Sequence, residues 1–135
     1  MELVESTNGL VAFLGYLGTA SLITFLYIVV YMWVTPHPEI SLIRNNNLAA
    51  AIAFAGSLIG FCLPLAIIIA GSVNLIDVAI WGGVALLVQI LIYFFARLPM
   101  PNISKRIENG ELASGLWLGS ASLAGGLLNA ACMTY

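Results

Sequence analysis

The chain has 135 residues, of which 61% are hydrophobic and 7% charged, with a formal net charge of -2 and a mean hydropathy of +1.06. This composition lies far outside that of soluble domains and assigns the chain to lipid. Four basic residues neutralise too few phosphates to hold nucleic acid, and one histidine, His37, cannot supply a multi-histidine metal site. No cofactor is expected, and catalysis has little support.

The stretch Met1 to Gly9 carries Glu2 and Glu5 but no Lys or Arg. It lacks the basic start of a secretory signal peptide, and the apolar run after it is too long for one. That run is therefore expected to stay as a membrane span. Because each helical residue adds only ~1.5 Å of rise, crossing the hydrocarbon takes about 20 apolar residues. Four segments qualify: Leu10 to Val34, Leu48 to Gly71, Leu75 to Ala96 and Leu112 to Thr134. Their runs are continuous rather than alternating, and four strands could not close a membrane barrel. The predicted architecture is all-α and integral to the membrane.

Between spans one and two lies Arg44; between spans three and four lie Arg97, Lys105 and Arg106. By the positive-inside rule both connections are cytoplasmic, which leaves the N-terminus, the turn Gly71 to Asn74 and Tyr135 outside. Tyr27, Tyr31 and Trp33, and likewise Tyr93, Phe94 and Phe95, approach the cytoplasmic boundary, where aromatic residues commonly anchor a helix. The competing reading of these rings is an aromatic ligand cage.

Pro36, Pro38, Ile40 and Ser41 recur as Pro99, Pro101, Ile103 and Ser104. The spans that follow also align, with Leu48, Ala49, Ala50, Ala51, Ala55 and Gly60 matching Leu112, Ala113, Ser114, Gly115, Gly119 and Ala124. The chain therefore reads as two two-helix units, residues 1–70 and 71–135, forming one membrane domain. An even number of spans per unit makes the repeat parallel, related by an axis along the membrane normal.

Span two opens with Asn45, Asn46 and Asn47 and runs on through small residues to Ala66. Trp81, Gly82 and Gly83 lead to Gln89, and the chain ends with Leu127, Asn129, Ala130, Ala131, Cys132 and Met133. In these features, over nearly its whole length, the sequence resembles the YjfL-like bacterial inner-membrane proteins. The resemblance implies a duplicated four-span protein of the cytoplasmic membrane in a domain family of unknown function. It hints at an accessory envelope role, and no functional residues carry over.

Candidate residues are therefore read from chemistry alone. Gly56 with Gly60, Gly115 with Gly119, and the row Ser122, Gly126 and Ala130 permit close helix approach, which in lipid is a principal means of packing. Such rows serve internal packing or self-association into a homo-oligomer. Gln89, Asn129 and Ser57 are polar groups inside hydrocarbon that must find partners. They form interhelical hydrogen bonds or, with Ser122, line a hydrated path in an oligomeric channel or small-solute transporter.

Pro64 either bends span two or frees a carbonyl that could coordinate an ion. Asn45, Asn46 and Asn47 are suited to capping span two, and Asn109 with Glu111 to capping span four. Arg44, Arg97, Lys105 and Arg106, with the two helix starts, could instead form a cytoplasmic surface for an anion or a protein partner. Ile103 and Ile107 suggest a short interfacial helix. Cys62 and Cys132 fall at different depths and read as inert thiols. The leading expectation is a small multi-pass protein working through helix packing, as an oligomer or as the membrane subunit of another envelope protein.

Overall fold

The computed structural model describes residues 2–133, so the expected outward placement of Tyr135 and the end of span four at Thr134 lie outside the described residues. Every regular element is helical: α1 (Glu2–Val34), α2 (Glu39–Arg44), α3 (Leu48–Gly71), α4 (Leu75–Arg97), α5 (Ile103–Glu108) and α6 (Leu112–Cys132). Helices α1, α3 and α4 are long and apolar enough to cross a membrane. The 21 residues of α6 suffice in length, but its glycines, serines and Asn129 dilute its hydropathy.

Helix α1 starts well before Leu10. Its 33 residues extend ~50 Å, against a hydrocarbon thickness of ~30 Å. Nothing in the first segment stops the helix. Glu2 and Glu5 in the first turn suit the positive end of its dipole, and the Thr7 hydroxyl donates to the Leu3 carbonyl at 2.7 Å. Gly9 is tolerated inside the helix.

The two loop helices are built alike. After α2, Asn46 takes the left-handed conformation (φ 64°), with its amide donating to Ile43 O (3.0 Å) and that of Asn47 to Leu42 O (2.9 Å). After α5, Gly110 takes the same conformation (φ 79°), and the amides of Gly110 and Glu111 donate to Ile107 O (2.9 Å) and Arg106 O (3.0 Å). Both are Schellman closures, in which an αL residue lets the last carbonyls be satisfied. Of the three asparagines only Asn47 caps: its Oδ1 accepts from the Ala50 amide at 3.0 Å, while its Nδ2 donates to the Ile107 carbonyl at 2.8 Å. Asn45 follows α2 and Asn46 turns the chain. Glu111 occupies the cap position of α6 without a side-chain bond, and Asn109 lies at the end of α5.

At the opposite end of the bundle, Gly71 closes α3 and Asn74 caps α4 by accepting from the Asp77 amide at 2.8 Å. Both α1 and α6 pack on the α3–α4 pair, and α3 with α6 is the most extensive helix contact.

Candidate functional site

The α3–α6 seam is a backbone-to-backbone contact. A Cβ added to Gly56 would strike the Gly119 backbone, one on Gly115 the Ala49 carbonyl, and one on Gly126 the Gly60 carbonyl; one on Gly119 would come within 2.6 Å of Ile52 O. Ser122 and Ala130 are buried on the same face of α6. All the glycines expected to permit close approach are thus used within one chain. Such proximity gives van der Waals contact that lipid cannot match.

Gln89 enters this seam from α4. Its Nε2 donates to the carbonyls of Ser122 (3.0 Å) and Ser57 (3.4 Å), so one amide joins three helices. The Ser57 hydroxyl is in turn hydrogen-bonded to the Tyr27 hydroxyl of α1. Gln89 Oε1 has no partner, nor does Asn129 Nδ2, which sits half-buried about two turns further along α6. Pro64 is buried within an α3 that continues through it.

Three tyrosines expected as interfacial anchors are instead core residues: Tyr27 and Tyr31 are 1% exposed and Tyr93 is 0% exposed. Tyr27 stacks on Phe61 (centroids 4.3 Å apart, planes 5°), and Tyr31 meets Tyr93 edge-on at 5.6 Å. Trp33, Phe94 and Phe95 are exposed, as an interfacial anchor must be. The spacing of Ile23, Tyr27 and Tyr31, each four residues from the last, places them on one face of α1, and Thr35 follows in line just beyond its end. That stripe was available in the sequence.

The tyrosine column leads to a buried polar cluster at the loop end of the bundle. Thr35 and His37, on the connection from α1 into α2, and Glu39, the first residue of α2, are nearly inaccessible, with Glu39 2% exposed. The Thr35 hydroxyl donates to Glu39 Oε1. His37 Nδ1 lies 3.0 Å from the Ser104 hydroxyl of α5, which ties the two loops together.

Burial raises the Glu39 carboxyl to about 7 and lowers the His37 imidazole to about 4. At neutral pH His37 is therefore uncharged, and its Nε2, 3.5 Å from Glu39 Oε1, forms neither an ion pair nor a hydrogen bond. The hydroxyls of Tyr31 and Tyr93 are buried without a bonded partner, although Glu39 is near both and Ser104 is near Tyr93. The cluster is not apparent from composition or hydropathy. The signal that could have found it is Pro36 and Pro38 on either side of His37, a rigid connection that turns its side chain under the bundle.

The basic residues are more dispersed in role. Arg97 lies over the rings of Tyr93 (5.6 Å) and Phe94 (5.7 Å). Arg106 faces Glu111 at 3.9 Å, whereas Arg44 and Lys105 are exposed with Asn45 and Asn46. In α5, Ile103 and Ile107 are buried against the bundle. Cys62 and Cys132 are free thiols.

The family described as Domain of Unknown Function (DUF350) matches residues 5–133. Two curated relatives, each named UPF0719 inner membrane protein YjfL, come from Escherichia coli strain K12 and Escherichia coli O157:H7. Each is 45% identical over 130 residues, covering 95% of this chain and 97% of the relative. No solved structure matches the chain. With spanning helices and a relative of this name along nearly its whole length, the chain is a protein of the bacterial inner membrane and belongs to the DUF350 family.

Proposed function

We infer that the chain crosses the inner membrane four times and acts through helix packing, without enzymatic activity, as an oligomer or as the membrane subunit of another envelope protein. Helix α6 is the fourth span. Its small residues face α3, and its exposed large residues, Leu112, Leu116, Trp117, Leu127 and Leu128, are all apolar. Hydropathy averaged around the helix understates what its outer face offers lipid.

Duplication is supported by an offset of 64 residues between the helices and their closures, one more than the 63 that aligns Pro36, Pro38, Ile40 and Ser41 with Pro99, Pro101, Ile103 and Ser104. The offset of 64 relates α2 (Glu39–Arg44) to α5 (Ile103–Glu108), Asn46 to Gly110 in the left-handed conformation, and Asn47 to Glu111 at the following cap. Each unit runs span, loop helix, span, so both units insert the same way round. Arg44, Arg97, Lys105 and Arg106 all lie on or beside the loops, which favours a cytoplasmic loop end with the turn at residues 72–74 outside.

The observation that carries the reading is that most polar groups of the core are committed inside one chain, with Gln89 Oε1 and Asn129 Nδ2 among the exceptions. Gln89, Ser57 and Ser122 are buried and joined across helices by hydrogen bonds. Toward the 72–74 turn Ile23, Leu65, Ile68 and Val78 are buried, and an open cavity of about 580 Å³ lies beyond Ile68, lined also by Ile67, Asp77, Trp81 and Met133. A channel around a symmetry axis needs these polar groups on an outer surface. The groups left for a partner are the exposed apolar side of α1, including Leu10, Phe13, Leu14 and Leu17, and the loop cations Arg44 and Lys105.

The test combines reconstitution of the purified protein into liposomes with covalent cross-linking in intact cells. The expected outcome is no selective solute flux, together with a discrete cross-linked homo-oligomer or one recurrent membrane or cytoplasmic partner. Selective flux with no stable partner or oligomer would contradict the reading.

A further inference from the structure

A carboxyl group that is buried and lacks a cationic partner is costly to ionise. Glu39 is such a group. Among the described residues no Lys or Arg pairs with it, the ion pair of this region being that of Arg106 with Glu111. The titratable groups that approach from the packed elements are Tyr31 of α1, His37 of the connection and Tyr93 of α4. Arg97 sits over the Tyr93 and Phe94 rings. On α5 the group turned inward is the neutral Ser104, while Lys105 is exposed; on α2 itself Arg44 is exposed. Helix α3 contributes Phe54, against Tyr31.

The same few side chains hold the loops together. Thr35 donates to Glu39, the His37 ring lies between Glu39 and Ser104, and Ser104 belongs to the other loop helix. We propose that Glu39, held by Thr35 and faced by His37, is a proton-binding site that couples the two loops. With its proton bound, Glu39 is neutral, and His37 stays packed beside it and bonded to Ser104 as a closed clasp. When the proton leaves to bulk water, a buried carboxylate is created that the clasp cannot neutralise, and the connection 35–39 moves toward solvent.

The direction of titration agrees. Burial has raised the carboxyl to about 7, so the protonated clasp is favoured at low pH and its stabilisation is lost as pH rises from the ordinary carboxylate range through about 7. His37, lowered to about 4 by burial, opposes this as pH falls from about 6.5, where its protonation opens the same clasp, so the two shifts offset each other below about 6.5 and the net loss comes as pH rises from there through about 7. The site is distinct from the packing seam, and it does not depend on which side of the membrane the loops face.

The experiment uses the full chain in lipid nanodiscs, with carboxyl-labelled glutamate followed by infrared difference spectroscopy as pH is raised from about 5 to about 9. A protonated-carboxyl band that disappears near neutrality in the wild type, is missing in Glu39→Gln and persists in Glu108→Gln is the expected result. Hydrogen exchange of residues 35–44 and 99–110, corrected for its intrinsic pH dependence, is expected to rise about threefold over the same change in the wild type, where loss of the His37 proton offsets most of the loss at Glu39, and to fall in Glu39→Gln, where His37 alone remains. Titration of every glutamate in the ordinary carboxylate range would overturn the proposal, using the wild type alone. So would an equal rise in loop exchange in Glu39→Gln.

Discussion

Tyr27, Tyr31 and Tyr93 show how a side chain's use in a membrane protein depends on the face it occupies as well as on its depth. A tyrosine near the end of a span anchors the helix when its ring reaches the headgroups. On an inward face the same ring is core, and its hydroxyl needs a partner. Tyr27 has one in Ser57 and also stacks on Phe61. Replacing Tyr27 by Phe should therefore cost only about 1 kcal/mol, the worth of one interhelical hydrogen bond, whereas Tyr27→Ala should cost about 3–5 kcal/mol through the lost ring. Unfolding in mixed detergent or by steric trapping measures both.

The same holds for Gln89. Its amide donates to two carbonyls, so Gln89→Leu should lose about 1–2 kcal/mol while retaining the bulk that fills the seam. The polar identity of Gln89 and Ser57 was plain in the sequence, but their partners were not, because those lie on other helices more than thirty residues away. Glu39 was passed over for a related reason. A glutamate just beyond a span is ordinarily solvated, and its burial here depends on α5 and α4 closing over the connection.

At the scale of elements, the small-residue rows were legible as contact surfaces, since glycine spacing along a helix directly reports a possible groove. What the rows could not reveal was the partner, another helix of the same chain or a second copy. The structure pairs α3 with α6, with Gly126 set against the Gly60 carbonyl. Backbone cannot yield as a flexible side chain can. Gly126→Ala should thus cost about 1–3 kcal/mol or more by forcing the helices apart. Gly18→Ala, on α1 with no heavy atom within 4 Å of the added Cβ, should be near neutral in the same assay. Equal effects at the two positions would show that the seam is not the tight contact described.

The element boundaries were less legible. Helix α1 runs on to Glu2 because its acidic first turn and Thr7 suit a helix in water, so hydropathy marks where lipid ends and not where the helix does. The loops show the opposite. Asn45 to Asn47 look alike in sequence yet divide into a residue after α2, a left-handed turn and a cap, because the Schellman closure fixes where each backbone amide must point.

For the whole molecule, composition was sufficient to place the chain in lipid, and the repeated loop pattern suggested two units. The proposed four-span arrangement makes a prediction about sidedness. Cysteines introduced at Asn45 or Asn109, in a chain whose Cys62 and Cys132 have been replaced by serine, should be labelled by a membrane-impermeant thiol reagent only from the cytoplasm, and one at Val73 only from outside. Labelling of positions 45 and 109 from opposite sides would break the parallel arrangement. Both loops meet through His37 and Ser104, and through Asn47 and Ile107, so the structure has them at one end of the bundle.

The central claim is that the polar groups of the core serve packing in a dry interior. Solid-state NMR on the side-chain amide of Gln89, in lipid bilayers, tests it most directly. The account predicts slow exchange with water, no magnetisation transfer from water to the amide protons, and through-space contacts from Nε2 to the carbonyls of Ser57 and Ser122. Rapid exchange with direct water contact at Gln89 would contradict it and would make a hydrated pathway the better description.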